Sequence, residues 1–145
     1  VGGQVECFIL GLGAGIGEPM FDGLESRISS AVFAIPAVKG IEFGEGFALT
    51  GIRASEANDE FYIADDGTVK TRQIQTAEFS TGMPIVFSTA FKPTPSIALK
   101  QRTVDLETMT DTDIEIRGRH DPCIAVRAAV CVESAAAIAL ADLIL

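Results

Sequence analysis

The last residues of the chain, CIAVRAAVCVESAAAIALADLIL (123–145), decide whether the sequence predicts a membrane protein or a globular one. The run is long enough for a transmembrane helix, which needs about 20 mostly apolar residues. Arg127, Glu133 and Asp142 interrupt it, however, and its centre consists of alanines. The stretch therefore predicts a buried helix of a soluble protein that is apolar on nearly all sides, and no membrane contact.

The composition of the whole chain is typical of a globular protein. Its 145 residues fit one domain (1–145), and 48% of them are hydrophobic against 21% charged. Eleven basic and twenty acidic residues give a net charge of −9. This charge excludes a general affinity for nucleic acid, because phosphate backbones require clustered cations. Val1 is not a natural start and no signal peptide precedes it, so we expect a cytoplasmic chain cut from something longer.

The cysteines indicate a reduced protein. Cys7, Cys123 and Cys131 are odd in number and widely separated, and Cys7 and Cys131 lie within apolar runs. They are predicted to be free thiols, with Cys7 and Cys131 buried as small hydrophobes. One histidine and scattered cysteines lack the ligand spacing of zinc, so no metal site is expected. A nucleophilic pair of Cys123 and His120 remains an alternative.

Hydrophobic periodicity predicts an α+β fold. Leu24, Ile28, Val32 and Ile35 share one face of a helix over 20–35, and Pro36 ends that helix. Strands or hairpins are predicted over 4–11, 38–44, 61–71, 83–91 and 111–118, and residues 44–60 are a connection. The order favours a sandwich in which helices pack on a mostly antiparallel sheet.

A glycine-rich stretch, GLGAGIGEP (11–19), lies between the first strand and the first helix. Its glycines do not have the GxGxxG spacing of a dinucleotide-binding turn. Glu18 would also repel a pyrophosphate at the helix N-terminus. The stretch therefore predicts a flexible connector.

The stretch KPTPS (92–96) follows a strand. Pro93 and Pro95 fix the backbone, so that Lys92, Thr94 and Ser96 lose less conformational entropy on binding a ligand. Rigid hydroxyls beside a lysine suit a phosphate or the edge of a flavin. An ordinary proline turn explains the same residues, and the spacing does not decide between the two.

The stretch RGRHDPC (117–123) stands at the start of the C-terminal helix. Asp121 is predicted to be the N-cap and Pro122 the first helical residue. Arg117, Arg119 and the helix N-terminus add positive potential at the same place. The stretch therefore predicts a site for an anion with one carboxylate beside it.

Five stretches together resemble the C-terminal half of chorismate synthase, in the same order and nearly from end to end. They are VGGQVECFILGLGAGIGEPMFDGLE, IPAVKGIEFG, SEANDEF, KPTPS after STGMPIVF, and GRHDPC followed by VRA. The resemblance implies a β-α-β sandwich, a homotetramer and a lyase of the shikimate pathway of aromatic amino acid biosynthesis. That family eliminates phosphate and a hydrogen from 5-enolpyruvylshikimate 3-phosphate to give chorismate. It requires reduced FMN, for whose reduction NADPH is a candidate donor, although the reaction has no net redox change.

The resemblance also implies roles for individual residues. Asp121 matches a catalytic carboxylate near flavin N5 that assists proton transfer, and Arg119 matches an arginine beside both flavin and substrate. The FMN contacts that it implies are Pro36, Ala37, Ala77, Lys92, Pro93, Thr94, Pro95, Ser96 and Arg119. Residues 72–82 stand where the family has a Gly/Asn-rich loop, with Ala77 and Glu78 in the place of paired glycines.

The catalytic histidines of the family lie in its N-terminal half, which this chain lacks. We therefore expect the chain to be inactive by itself and to hold half of a site. A catalytically inactive relative that acts as a structural or oligomerisation module is the alternative from another class. A small acidic binding module unrelated to flavin is a third.

Overall fold

The computed structural model describes residues 1–18, 20–58, 60–67, 69–71, 80 and 82–145. Within these residues the chain forms two α-helices, α1 (Leu24–Phe33) and α2 (Ala125–Ile144). The strands are β1 (Gly3–Ile9), β2 (Val38–Phe43), β3 (Phe61–Ile63), β4 (Val69–Thr71), β5 (Ile85–Phe91), β6 (Lys100–Asp105) and β7 (Thr110–Glu115). Short 3-10 helices cover Met20–Asp22 and Gly46–Gly51.

Three strands form an antiparallel sheet in the order β1-β5-β2. β5 is the central strand, although it is the last of the three in the chain. Its alternate residues Ile85, Phe87, Thr89 and Phe91 are all buried, as expected of a central strand. Both neighbours align with the end of β5, because Gly3 of β1 and Val38 of β2 each pair with Phe91. The predicted strands over 4–11, 38–44 and 83–91 are thereby confirmed.

Both helices cover one face of this sheet. α1 buries Leu24, Ile28 and Val32, the residues that helical spacing predicts, and it ends at Phe33, shortly before Pro36. Phe87 of β5 lies against Phe43 of β2, with ring centroids 5.5 Å apart. The result is the predicted α+β fold, with helices packed on an antiparallel sheet.

Helix α2 is buried on one side only. The side toward α1 and β1 is formed largely by alanines, which let the elements approach closely. On the opposite side Val126, Val130 and Ile138 are 82%, 63% and 68% exposed. The helix is apolar on nearly all sides, as predicted, but the prediction that it is buried is wrong for its outer side. Of the parts of the chain that the structure describes, no helix has both the length and the apolar character of a membrane span.

Two hairpins lie outside this sheet. β3 pairs with β4 in the region predicted over 61–71, and Gly67 between the two strands has a φ of 79°. β6 pairs with β7, and Lys100 forms an ion pair of 2.7 Å with Asp113 across the strands. β7 overlaps the strand predicted over 111–118 but ends at Glu115. β6 was not predicted, because its sequence KQRTVD has only one apolar residue.

The glycine-rich connector (11–19) forms hydrogen bonds with Ser80, a buried residue. The Ser80 hydroxyl donates to the Gly13 oxygen at 2.5 Å and accepts from the Ile16 amide at 2.9 Å. Two main-chain bonds link Ser80 to Gly15 and Ile16 at 2.7 and 2.8 Å. The stretch is a connector, as predicted, but these bonds hold its backbone and contradict the expected flexibility.

Candidate functional site

The sheet register brings two of the sequence motifs together. Since Val38 pairs with Phe91, the residues before Val38 and those after Phe91 leave the sheet side by side. The Lys92 amide donates a hydrogen bond of 2.9 Å to the Ala37 oxygen. Pro36-Ala37 and KPTPS, which are far apart in sequence, are therefore adjacent.

The backbone at this junction is unusual. Ala37 has a φ of 73°, in the left-handed region that residues with a Cβ rarely adopt. Such a conformation costs on the order of 1 kcal/mol and persists only where surrounding contacts impose it. The bond from Lys92 is one such contact.

Helix α2 begins beside the same end of the sheet. A side chain at Gly3 would place its Cβ 2.5 Å from the Ala125 Cβ and 3.1 Å from the Cys123 sulfur. Only a glycine at the start of β1 permits this approach. The close packing positions residues 121–125 next to the loop that follows β5.

A hydrogen bond connects the loop KPTPS to the stretch RGRHDPC. The hydroxyl of Thr94 donates to the main-chain oxygen of Asp121 at 3.0 Å. Thr94 and Ser96 are half-buried, whereas Lys92, Pro93 and Pro95 are exposed. The loop thus presents its cation to solvent and uses one hydroxyl to hold Asp121.

Helix α2 starts later than predicted. Its first residue is Ala125 and its N-cap is Ile124, with no side-chain cap hydrogen bond. The predictions of Asp121 as N-cap and Pro122 as first helical residue were therefore wrong. The reason is that Asp121 is engaged elsewhere, its main chain by Thr94 and its side chain by an arginine.

That arginine is Arg127, in the first turn of α2. Its Nη1 donates to Asp121 Oδ2 at 2.7 Å. The hydrogen bond with Asp121, and then the negative charge of that carboxylate, raise the pKa of the Arg127 guanidinium above its ordinary value. The sequence analysis gave Arg127 no role. The pattern that could have indicated one is an acidic residue, Asp121, at the predicted helix start and a basic residue, Arg127, six positions later.

Asp121 and Arg127 line a cavity of about 230 Å³. Its remaining walls are Ile35, Pro36, Ile124, Ala128 and Cys131. The cavity combines apolar walls with one carboxylate and one guanidinium. Pro36 and Asp121 of the predicted site meet here, while Lys92, Thr94, Ser96 and Arg119 are not part of the lining.

The other charged residues of RGRHDPC lie apart from the cavity. Arg117 pairs with Glu115 at 3.1 Å, and Arg119 and His120 are exposed. The Cys123 thiol is directed to the Gly2 oxygen at 3.8 Å, so the structure gives no support to a pair of Cys123 with His120. Among the described residues, no group of three or more His, Cys, Asp or Glu side chains is placed to hold a metal ion.

The cysteines are free, but their burial differs from the prediction. Cys131 is exposed, and Cys7 and Cys123 are partly buried. Partial burial, and then the nearby charge of Glu133, raise the pKa of the Cys7 thiol above its ordinary value. The predicted burial of Cys131 was wrong, since Cys131 faces the cavity side of α2 and not the sheet. Ala77 and Glu78 lie outside the described residues.

The fold and this junction define an α+β protein with a site built where a sheet end meets a helix start. The family model described as chorismate synthase matches residues 1–145. The chain belongs to the chorismate synthase family.

Similar proteins support that membership. The chain is 51% identical to a chorismate synthase of Dehalococcoides mccartyi strain BAV1 and 50% identical to one of Methanothermobacter thermautotrophicus. These matches cover 100% and 98% of this chain but 41% and 39% of those relatives. A structure described as "Crystal Structure of Chorismate Synthase" matches with a TM-score of 0.74 and 26% identity, over 98% of this chain and 36% of that one. The chain thus spans about two fifths of the length of its curated relatives.

Proposed function

We propose that this chain supplies part of an active site that eliminates phosphate from 5-enolpyruvylshikimate 3-phosphate to give chorismate. The observation that carries the proposal is the meeting of Pro36-Ala37, KPTPS and Asp121 at one end of the sheet. Convergence of separate segments beside a cavity, which Pro36 and Asp121 line, is typical of a binding site and is not needed for an ordinary proline turn.

Reduced FMN is the proposed cofactor, and the cavity lining fits one edge of a flavin. Ile35, Pro36 and Ile124 offer apolar walls for a flat aromatic ring, and Asp121 with Arg127 offers polar groups for its edge. The cavity volume of about 230 Å³ is below the roughly 300–1,000 Å³ usual for a whole ligand. Other residues, of which Ala77 is a proposed one, would complete the site.

The proposed roles follow from these positions. Lys92 and Ser96, with the backbone of Pro36 and Ala37, contact the cofactor, and exposed Arg119 is available to cofactor and substrate. Pro93 and Pro95 stiffen the loop, and Ala77 remains a proposed contact. When bound, a reduced flavin supplies electron density to the substrate carbon that loses phosphate. The carboxylate of Asp121 assists the transfer of the proton from the substrate.

The assembly and its setting are also proposals. By family resemblance we infer a homotetramer in the cytoplasm, with NADPH as a donor for flavin reduction. The isolated chain is proposed to be inactive, because the histidines that perform acid–base chemistry in the family lie outside it.

The test uses this chain and a chorismate synthase of full family length that carries residues 1–145. FMN binding is followed by fluorescence titration, and chorismate formation is assayed without oxygen in the presence of reduced FMN. We expect turnover by the full-length protein and none by the chain alone. A full-length protein that neither binds FMN nor forms chorismate would refute the proposal.

A second candidate is an inactive module for structure or oligomerisation. The exposed apolar side of α2, with Val126, Val130 and Ile138, favours it, because such a surface is normally covered by another element or subunit. The same titration separates the two candidates, since a structural module predicts folding and assembly without FMN binding.

A further inference from the structure

Arg127 is the charged residue in direct contact with the side chain of Asp121. The two side chains meet at 2.7 Å and line the same cavity. Arg127 projects from the first turn of α2, whose start is packed tightly against Gly3. The guanidinium is therefore attached to a rigid element.

The ion pair contributes little to stability. The side chains of Arg127 and Asp121 are 77% and 47% exposed, and solvent-exposed pairs are weak because water and salt screen them. The pair instead determines the orientation of the Asp121 carboxylate. Thr94 holds the main chain of Asp121 and Arg127 holds one oxygen of its carboxylate, so the group is fixed at two points.

We propose that Arg127 is a positioning residue that holds the carboxylate of Asp121 toward the flavin edge. This inference rests on the proposed function, since it concerns the same cavity. It assigns to Arg127 no contact with substrate. Its effect on the reaction is exerted through the orientation of Asp121.

The chain offers a closely matched control. Lys100 and Asp113 form another 2.7 Å ion pair, with side chains 72% and 45% exposed, on the hairpin of β6 and β7. Lys100→Gln thus removes an ion pair of the same length and similar exposure whose residues do not line the cavity. Any difference between Arg127→Gln and Lys100→Gln reflects location and not the loss of an exposed pair.

The experiment uses a full-length chorismate synthase that carries residues 1–145. Its variants are Arg127→Gln, Arg127→Lys, Asp121→Asn, the double variant Arg127→Gln with Asp121→Asn, and Lys100→Gln. The measurements are kcat and KM, the affinity for FMN, the visible absorption spectrum of bound FMN, and the Tm. The spectrum reports charges near the flavin ring without requiring turnover.

Arg127→Gln is expected to lower kcat on the order of tenfold to a hundredfold with little change in KM, as misplacement of a reacting group does. Arg127→Lys should recover part of that loss. The spectrum of bound FMN should change in Arg127→Gln and in Asp121→Asn. In the double variant, the loss of the arginine should add nothing to the loss of the carboxylate, because the arginine acts through it.

Three outcomes would overturn the inference. If Asp121→Asn changed neither turnover nor the spectrum, the proposed roles of Asp121 and Arg127 would both fail, whereas the proposed function fails only if the full-length protein neither binds FMN nor forms chorismate. If Asp121→Asn changed both but Arg127→Gln behaved as Lys100→Gln does, only the positioning role would fail. A Tm for Arg127→Gln far below that of Lys100→Gln would assign the arginine to folding instead.

Discussion

Thr94 donates a hydrogen bond to the main-chain oxygen of Asp121, a residue 27 positions further along the chain. The bond uses the hydroxyl proton of Thr94 within the protein, so the hydroxyl approaches a ligand only as an acceptor. The loop KPTPS therefore has a structural task beside any contact with a cofactor. It fixes the segment that carries the carboxylate.

Replacing Thr94 tests that task. Thr94→Val is expected to remove about 1 kcal/mol of stability, the usual net contribution of a hydrogen bond, and to lower the turnover of a full-length enzyme carrying this segment. Thr94→Ser should retain both, because it keeps the hydroxyl. Urea unfolding and a chorismate assay measure the two effects. Thr103→Val, on the hairpin of β6 and β7, is the control, and an equal loss in that variant would argue against the specific bond.

The start of α2 illustrates where sequence reasoning failed. Asp121-Pro122 has the local chemistry of a helix start, but the helix begins at Ala125. One long-range contact, from the Thr94 hydroxyl to the main-chain oxygen of Asp121, and one local contact, from Arg127 to its carboxylate, engage Asp121 outside the helix. Local propensity contains no information on partners that only the tertiary fold brings near.

The sheet, too, was predicted only in part from the sequence. Runs of apolar and β-branched residues predicted β1, β2 and β5, and helical spacing predicted the buried face of α1. The position of β5 between β1 and β2, which places 36–37 beside 92–96, depends on pairing between distant segments and was not predicted. The motif resemblance predicted that these two segments belong to one site, which the strand pattern alone did not indicate.

Asp121→Asn separates chemistry from structure. Because Asp121 does not cap α2 and its ion pair is exposed, the substitution should change stability by less than about 1 kcal/mol. FMN affinity should stay nearly the same, whereas turnover of a full-length enzyme should be abolished. Thermal unfolding, flavin titration and the chorismate assay check these expectations. Turnover equal to that of the parent enzyme would remove Asp121 from the reaction.

Lys92 is expected to attract the phosphate of FMN. It is exposed at the end of β5, where its amide is already bonded to Ala37 and its side chain is available to a ligand. Lys92→Ala should weaken FMN binding by roughly 1–2 kcal/mol, the value of a charge-assisted hydrogen bond. Lys39→Ala removes an exposed lysine of β2 and serves as the control. Equal affinities for these two variants would show that the effect is general electrostatics.

The three thiols should react at different rates. Cys131 is exposed and should be alkylated first, while partial burial and the charge of Glu133 raise the pKa of Cys7 and reduce its reactive thiolate at neutral pH. The rate at Cys7 should therefore continue to rise with pH above the range in which the rate of an ordinary thiol does. Iodoacetamide labelling followed by mass spectrometry, from about pH 7 to about pH 9, measures both rates. Glu133→Gln should accelerate Cys7 slightly, and a slower Cys131 than Cys7 would contradict the assigned exposure.

Thr89 lies at the centre of the sheet with its side chain fully buried. Within the described part of the chain its hydroxyl has no hydrogen-bond partner. A buried hydroxyl without a partner loses its hydration on folding at a cost of about 1–3 kcal/mol, and valine has nearly the same shape without that cost. Thr89→Val is therefore expected to raise the free energy of unfolding by about 1 kcal/mol, as measured by urea denaturation. Thr112→Val on the exposed strand β7 controls for the higher strand propensity of valine and should change stability by less than about 0.5 kcal/mol. If Thr89→Val were less stable than the parent, the Thr89 hydroxyl would form a hydrogen bond in the folded protein. β5 would then require that bond at the centre of the sheet.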